Sequence, residues 1–574
     1  MPQKSIHTPI IALLLFLLLV ANACHKSDNA QLAAGDCFVT SVNNNELIVR
    51  LDDLQPDKIS GSYFYTKALF ADPHPFTVEL KGAKGRLNAD ALPGPATIKW
   101  TTQQDKLKVR CKTGNLPQEM VLVKCTSRDN TVFHRQFCDS LYSVKMTPDV
   151  EYARANGFWT SYPDEDKPFA EIYTERIPQL IKMEEQPLRM DIYEPVDDPA
   201  NMRPLVLMIH GGAFYNGDKQ DETYVKWCRH YASLGYVAVS LNYRMGFLPY
   251  KNAIDCAGYR ATQDANAALR YLMHHAATYR INPDWVFTWG TSAGAITALN
   301  VAFMKDANRQ ESVTKEGKIN KLAPICTETF HVKAVANMWG AVHDTAILAN
   351  HNIPVISFHG DADGIVPYDY GIPFKDMLNS SVTEEVNRQL NRAVSLVDDP
   401  SSNKFLDKAR SILTPITEKI GDWTEPFTRP VWNMIISPMY GSACIHKYLN
   451  RHNIRNKLFT EEGADQHSLH VDEHRNIVPY FYTIQDSVAR FFYTEIIEKP
   501  VNIRQENPMA QYFIIDGSNV AEVHWQVDGG ALLELSGNKA KIVFFKDAAR
   551  HTVHTVRVCG KYKNGVEFCE EIVV

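Results

Sequence analysis

The spacing of apolar and polar positions changes character twice along the chain. From about Asp36 to Val144 it runs as short strand-like stretches, at 46–51, 62–69, 76–80, 97–101, 107–111 and 120–124. Gly, Pro and Asn clusters separate them, as at 82–85 and 93–95. This punctuation predicts a small all-β domain, a barrel or a sandwich. From about Thr147 to Glu498 strands alternate with helical patterns. Residues 204–209 and 236–241 are continuous apolar runs, as expected of strands buried on both faces. Between 261 and 279, Ala265, Ala268, Leu269, Leu272 and Ala276 fall on one helical face. A strand at 286–289 leads into a helix at 293–303; further buried strands are expected at 332–338 and 353–358, and a last one at 457–460. The fold class this implies is α/β, a doubly wound and mostly parallel sheet covered by helices on both faces. Residues 368–439 break the alternation and are expected to form a cap, with Trp423, Phe427 and Trp432 as candidates to line a pocket. From 500 to 574 strand patterns return at 523–527, 541–545, 552–558 and 566–573, predicting a C-terminal β-sandwich. The domains expected are thus 24–146, 147–498 and 500–574, behind a leader at 1–23.

The leader rests on Lys4, the apolar run 10–20 and the small residues Ala21 and Ala23. The run is too short to span a bilayer comfortably, which is the pattern of a cleaved export signal. Val20-Ala21-Asn22-Ala23-Cys24 resembles the lipobox of bacterial lipoproteins, which implies a lipid anchor on Cys24 as the only membrane contact; free secretion after Ala23 is the alternative. The formal net charge of −6 over 574 residues offers no basic face for nucleic acid. Of the 11 Cys, Cys559 and Cys569 flank Lys563-Asn564-Gly565. A tight turn there, with Gly565 left-handed, sets the two opposite each other for a disulfide. No CxxC or HExxH spacing suggests a metal, and no cofactor motif is present.

Four segments carry candidate chemistry. Gly290-Thr291-Ser292-Ala293-Gly294 lies between a strand and a helix, where a sharp turn lifts Ser292 above the sheet and leaves the N–H of Ala293 free at the helix start. His210-Gly211-Gly212-Ala213-Phe214 follows the 204–209 strand, and the N–H groups of Gly211, Gly212 and Ala213 are candidates to bind an oxyanion. His359-Gly360-Asp361-Ala362-Asp363-Gly364 follows another strand and offers Asp363, with Asp361 as competitor. Gly463-Ala464-Asp465-Gln466-His467 follows the last strand and offers His467; His470 and His474 are the alternatives. His210 precedes the serine and is expected to be structural, as is Asp264.

These motifs, in the order Ser, Asp, His, resemble the α/β-hydrolase carboxylesterases and lipases, among them acetyl- and feruloyl-esterases. The resemblance spans about 193–498. It implies Ser292 as nucleophile, His467 as base, Asp363 as its orienting acid, and Gly211, Gly212, Ala213 and Ala293 as the oxyanion hole. Asn242-Tyr243-Arg244 is similar to a turn of the same esterases. The implied substrate is a carboxylic ester, including acyl groups on polysaccharide. A serine peptidase of the same fold is one alternative, and an inactive surface binding protein is another. The C-terminal region resembles PKD-like and immunoglobulin-like modules of secreted enzymes, and Trp100 and Trp525 are candidate glycan-facing aromatics or core residues.

Overall fold

The computed structural model describes residues 34–574 except 43–44, 56, 67–68, 82–83, 90–95, 104–105, 112–118, 126–131, 162–182, 248–251, 350, 375–435, 508–510 and 547–552. The lipobox with Cys24, and Trp423, Phe427 and Trp432 of the expected cap, lie outside the described residues. The chain forms two compact units, Gln136–Ile496 and a second one drawn from Met1–Arg135 and Ile497–Val574.

In the second unit eight antiparallel strands close a barrel: Cys37–Val42, Asn45–Leu54, Lys58–Thr66, His74–Lys81, Lys84–Ala89, Ala96–Gln103, Lys106–Cys111 and Glu119–Cys125. Closure comes from Cys37 pairing with Cys125. The C-terminal strands form two sheets rather than a detached module. Phe70–Ala71, from the N-terminal region, pairs parallel with Lys539–Phe545. Ile48, Phe64, Ala71, Ala531, Val543 and Phe545 share one cluster, with the Phe64 and Phe545 rings stacked at 4.1 Å. The two β-regions expected as separate domains therefore have a common core. Cys559 and Cys569 face each other on Thr555–Tyr562 and Glu567–Val573 and are disulfide-bonded, with Gly565 left-handed in the connecting turn. Trp525 is a core residue, its indole N–H donating to the Gly537 carbonyl at 3.2 Å.

The other unit is built on an eight-stranded sheet. Its strands are β1 (Val144–Gly157), β2 (Glu184–Pro195), β3 (Arg203–Ile209), β4 (Val237–Leu241), β5 (Ile281–Thr291), β6 (Val332–Met338), β7 (Val355–Gly360) and β8 (Asn456–Glu461), in the order β1-β2-β4-β3-β5-β6-β7-β8. β2 runs antiparallel to both its neighbours, and β4, β3, β5, β6, β7 and β8 are mutually parallel. Side chains of β5 alternate between two helical layers. Phe287 and Trp289 meet α4 (Pro479–Ile497) and α1 (Glu222–Ser233) through Phe492 and Trp227. Thr288 points the other way, onto the Ala298 carbonyl of α3 (Ala293–Phe303). The helix α2 (Ala253–His274) packs beside α3 in that second layer.

Two differences from the sequence reading have local causes. The unit begins near Gln136 rather than Thr147, because Phe137 bonds through its N–H to Leu234 and sets its ring edge-on to Tyr236 and Trp285. Helix α2 begins at Ala253 rather than near 261. Both of its faces are buried, so Asp255, Arg260, Gln263 and Asp264 interrupt any single apolar stripe that would betray its first turns.

Candidate active site

Strand β5 ends at Thr291 and helix α3 begins at Ala293, so the chain must reverse at one residue. That residue is Ser292, at φ 52° and ψ −121°. A non-glycine residue at positive φ costs about 1–3 kcal/mol and persists only where its surroundings over-determine it. Here the Ser292 N–H donates to Met338 at the end of β6 (2.9 Å), and its carbonyl accepts from Ile296 (3.0 Å). Gly294 is required by close approach, since a Cβ on it would lie 2.0 Å from the Ile209 carbonyl oxygen and 2.5 Å from that of His210. The turn thus packs backbone to backbone on the loop that follows β3. Gly294→Ala is expected to destabilise the chain by about 1–3 kcal/mol through overpacking, read as a lowered urea midpoint with unchanged m-value.

His467 lies on the loop after β8. Its Nδ1 is 2.7 Å from Asp363 Oδ2 and its Nε2 is 2.8 Å from Ser292 Oγ. A carboxylate accepts only, so Nδ1 carries the proton and Nε2 is the acceptor for the serine hydroxyl. Asp363 lies on the loop after β7. Its Oδ1 accepts from the N–H groups of Ile365 (2.8 Å) and Val366 (3.1 Å). Its Oδ2 also lies 3.3 Å from His359 Nε2. Burial opposes its charge, but the hydrogen bonds and charges of His359 and His467 outweigh burial and hold the carboxyl far below the usual range. His359 in turn accepts from Ser442 Oγ at Nδ1 (2.8 Å). The competitor Asp361 instead accepts from the N–H of Gly463 at 2.6 Å, bracing the loop that carries His467. His474 points to solvent. His470 is held between the rings of Trp227 and Trp339, and does not touch Ser292.

The loop after β3 faces the serine. Gly212 has φ +100°, and a Cβ there would lie 2.1 Å from the Asn216 carbonyl. Ala213 and Phe214 also take positive φ, 49° and 63°. Among the described residues the N–H groups of Gly212, Ala213 and Ala293 have no hydrogen-bond partner. Gly211 departs from expectation. Its N–H donates to Tyr224 Oη (3.1 Å), whose hydroxyl bonds Thr291 Oγ1 (2.5 Å), so Gly211 is withdrawn from the set of free donors. His210 is fully buried; its Nδ1 donates to the Gly211 carbonyl (2.8 Å) and its ring stacks on Tyr243 at 4.4 Å. Asn242-Tyr243-Arg244 does more than pack. Tyr243 Oη donates to the carbonyls of His210 (3.0 Å) and Gly211 (3.1 Å), and Arg244 is locked to Asp264 in a buried ion pair at 2.7 Å.

Ser292 and His467 open onto a cavity of about 230 Å³, also lined by Trp339, Ile365, Phe374 and Asp221. Burial pushes the Asp221 carboxyl up to about 6, with only partial relief from His210. A carboxyl whose folded pKa is raised loses stability as pH climbs from its unfolded value, near 4, through its folded value. Asp221→Asn is therefore expected to stabilise the chain above pH ~6 by about 1–2 kcal/mol, after a discount for solvent screening, and to do nothing at pH ~4. Thermal melts of both chains at the two pH values measure this, and an equal gain at both would refute the account.

Residues 190–352 match the BD-FAE family model. Gut esterase 1 of Caenorhabditis briggsae is 31% identical over 94 residues, 16% of this chain and 17% of that one. A carboxylic ester hydrolase of Bombus ignitus is 32% identical over 114 residues, 19% of each chain. This chain thus spans less than a fifth of the length of either relative. Among solved structures, the apo form of Thermogutta terrifontis esterase 2 aligns over 54% of this chain and 90% of that one, at 17% identity and a TM-score of 0.32. The family match takes in β3 to β6 and both the Gly211–Ala213 loop and Ser292; Asp363 and His467 lie beyond it.

Proposed function

We propose that this chain hydrolyses carboxylic esters through an acyl-enzyme on Ser292. The observation that carries the reading is the unbroken line Asp363–His467–Ser292, ending at a cavity beside the free N–H groups of Gly212, Ala213 and Ala293. In the first step His467 Nε2 takes the hydroxyl proton as Ser292 Oγ bonds to the carbonyl carbon. The carbonyl oxygen becomes an oxyanion that the three N–H groups stabilise, each such donor contributing about 3–4 kcal/mol to the barrier reduction. The C–O bond to the alcohol then breaks, and the alcohol oxygen leaves with the proton from His467. Water repeats the sequence on the acyl-serine, releasing the acid and restoring the hydroxyl.

The match of 190–352 to BD-FAE and the esterase relatives support an ester over a peptide bond. Acetyl or feruloyl groups on polysaccharide are the substrates proposed, as the motif resemblance suggests. Export, with Cys24 as a lipid anchor or with free release after Ala23, is proposed on the pattern of the first 24 residues. The test is turnover of p-nitrophenyl esters of increasing acyl length by the mature chain, with labelling by a fluorophosphonate and intact mass. Saturable turnover with one phosphonyl group on Ser292 supports the reading. Absence of both, in a folded chain, overturns it in favour of a binding protein.

A further inference from the structure

The three free N–H groups beside Ser292 come from two separate segments. Gly212 and Ala213 stand on the loop after β3, and Ala293 follows the turn after β5. Such donors stabilise an oxyanion only while they converge on one point, and a misplacement of about 1 Å costs on the order of 100-fold in rate. The loop and the turn must therefore be held in register beyond the ends of their strands.

We propose that Tyr224 is a positioning residue for the oxyanion hole, and that it acts by tying Gly211 to Thr291. This rests on the ester-hydrolase reading and goes beyond it. Tyr224 Oη accepts from the N–H of Gly211 at 3.1 Å and shares a hydrogen bond with Thr291 Oγ1 at 2.5 Å. Gly211 directly precedes the two loop donors, and Thr291 directly precedes Ser292. One phenol oxygen thus grips both segments a single residue away from the groups that react. The segments also touch. A Cβ on Gly211 would lie 3.1 Å from Thr291 Oγ1 and 3.3 Å from Ser292 Cβ, so a shift of Gly211 is felt at the nucleophile.

The tie is anchored outside both segments. Tyr224 stands on α1 and is 4% exposed, its ring edge-on to Trp227 at 5.8 Å and to His210 at 6.4 Å. Trp227 in turn packs on Trp289 of β5. Burial pushes the Tyr224 hydroxyl well above its usual range, so it stays protonated and the link to Thr291 is a bond between two neutral hydroxyls. Packing alone would need only the ring. The hydroxyl is what reaches the loop and the turn together.

The experiment removes that oxygen and keeps the ring. Tyr224→Phe is expected to lower kcat on p-nitrophenyl acetate by about 10–100-fold. KM should stay within about twofold, because acylation and deacylation both pass through an oxyanion and slow together. The inhibition constant of trifluoroacetone, whose adduct with Ser292 carries the same oxyanion, should rise by the factor that kcat/KM loses. The inflection of His467 in the pH profile should not move, since the line from Asp363 to Ser292 is untouched. Thr291→Val cuts the tie from the other side and is expected to cost a similar factor, and Thr291→Ser, which keeps a hydroxyl, to recover most of it. The double variant Tyr224→Phe/Thr291→Val should be little slower than either single one, because both break the same link. The Thr291 pair reads the tie even if Tyr224→Phe folds poorly. A Tyr224→Phe enzyme within about twofold of the wild-type kcat, a loss of rate with unchanged trifluoroacetone inhibition, or a Thr291→Ser enzyme as slow as Thr291→Val overturns the inference. A wild type inert toward p-nitrophenyl acetate overturns instead the ester-hydrolase reading beneath it.

Discussion

Ser292→Ala is expected to lower kcat on p-nitrophenyl acetate by about a million-fold, the size of loss seen when a triad nucleophile is removed. Among the described residues the hydroxyl is the only hydrogen-bond partner of His467 Nε2, at 2.8 Å, so without it no covalent acyl intermediate can form. What survives is the three free N–H groups and substrate positioning, which alone keep about a thousand-fold or more over uncatalysed water attack. The fold should tolerate the change. Ser292 is held at φ 52° by its backbone bonds to Met338 and Ile296, and alanine makes the same two bonds. Its side chain has no hydrogen-bond partner other than His467 among the described residues. The measurement is stopped-flow hydrolysis with intact mass. The variant should lose both the burst of p-nitrophenol and the acyl adduct, while its melting temperature stays within a few degrees. A variant retaining even a few per cent of the rate would place the nucleophile elsewhere.

Much of this site was legible in the sequence because each reactive group sits directly after a strand. A buried parallel strand announces itself as an apolar run, and a glycine-rich turn at its end marks a place where the backbone must bend sharply or lie close to a neighbour. Ser292 after β5, the Gly212 loop after β3, Asp363 after β7 and His467 after β8 all follow this rule, and the structure brings Ser292, His467 and Asp363 within hydrogen-bonding reach. The edge strand β1 did not announce itself, since most of its side chains face solvent, Asp149 turns to positive φ and its pairing with β2 is bulged. Equally hidden were the side chains that act at long range in sequence. Tyr224 occupies the N–H of Gly211 from helix α1, and nothing in His210-Gly211-Gly212 reveals that one donor is already used. The Trp227–His470–Trp339 stack joins three separate elements. His359 was visible as a residue, but its contact with Asp363 depends on the return of the chain after β7. The shared core of the two β-regions, with Phe64 against Phe545, is likewise a contact between distant residues that local pattern cannot encode.

Asp363→Asn carries the second-largest effect and tests the hydrogen-bonded line itself. The carboxylate forces His467 to keep its proton on Nδ1, which leaves Nε2 free to accept from Ser292. An amide can place its NH2 group against Nδ1 and stabilise the opposite tautomer, whose Nε2–H cannot take the serine proton. His359 opposes that arrangement, though only in part. Its Nε2–H, shared between Asp363 and the Val366 carbonyl, favours an oxygen at the Oδ2 position, so the amide flip must break this contact. The expected loss is about 10⁴-fold in kcat, smaller than for the nucleophile because the remaining machinery stays in place. There is a stability signature as well. Asp363 has a depressed folded pKa, so its contribution is complete above the unfolded value near 4 and disappears as pH falls through the folded one. The asparagine variant should therefore melt lower than the wild type at neutral pH, with the gap closing under strong acid. His359→Gln separates the two roles: it keeps the His467–Asp363 contact and should cost far less than the asparagine change in kcat. An Asp363→Asn enzyme with near-normal turnover would remove Asp363 from the proposed mechanism and return Asp361 to consideration.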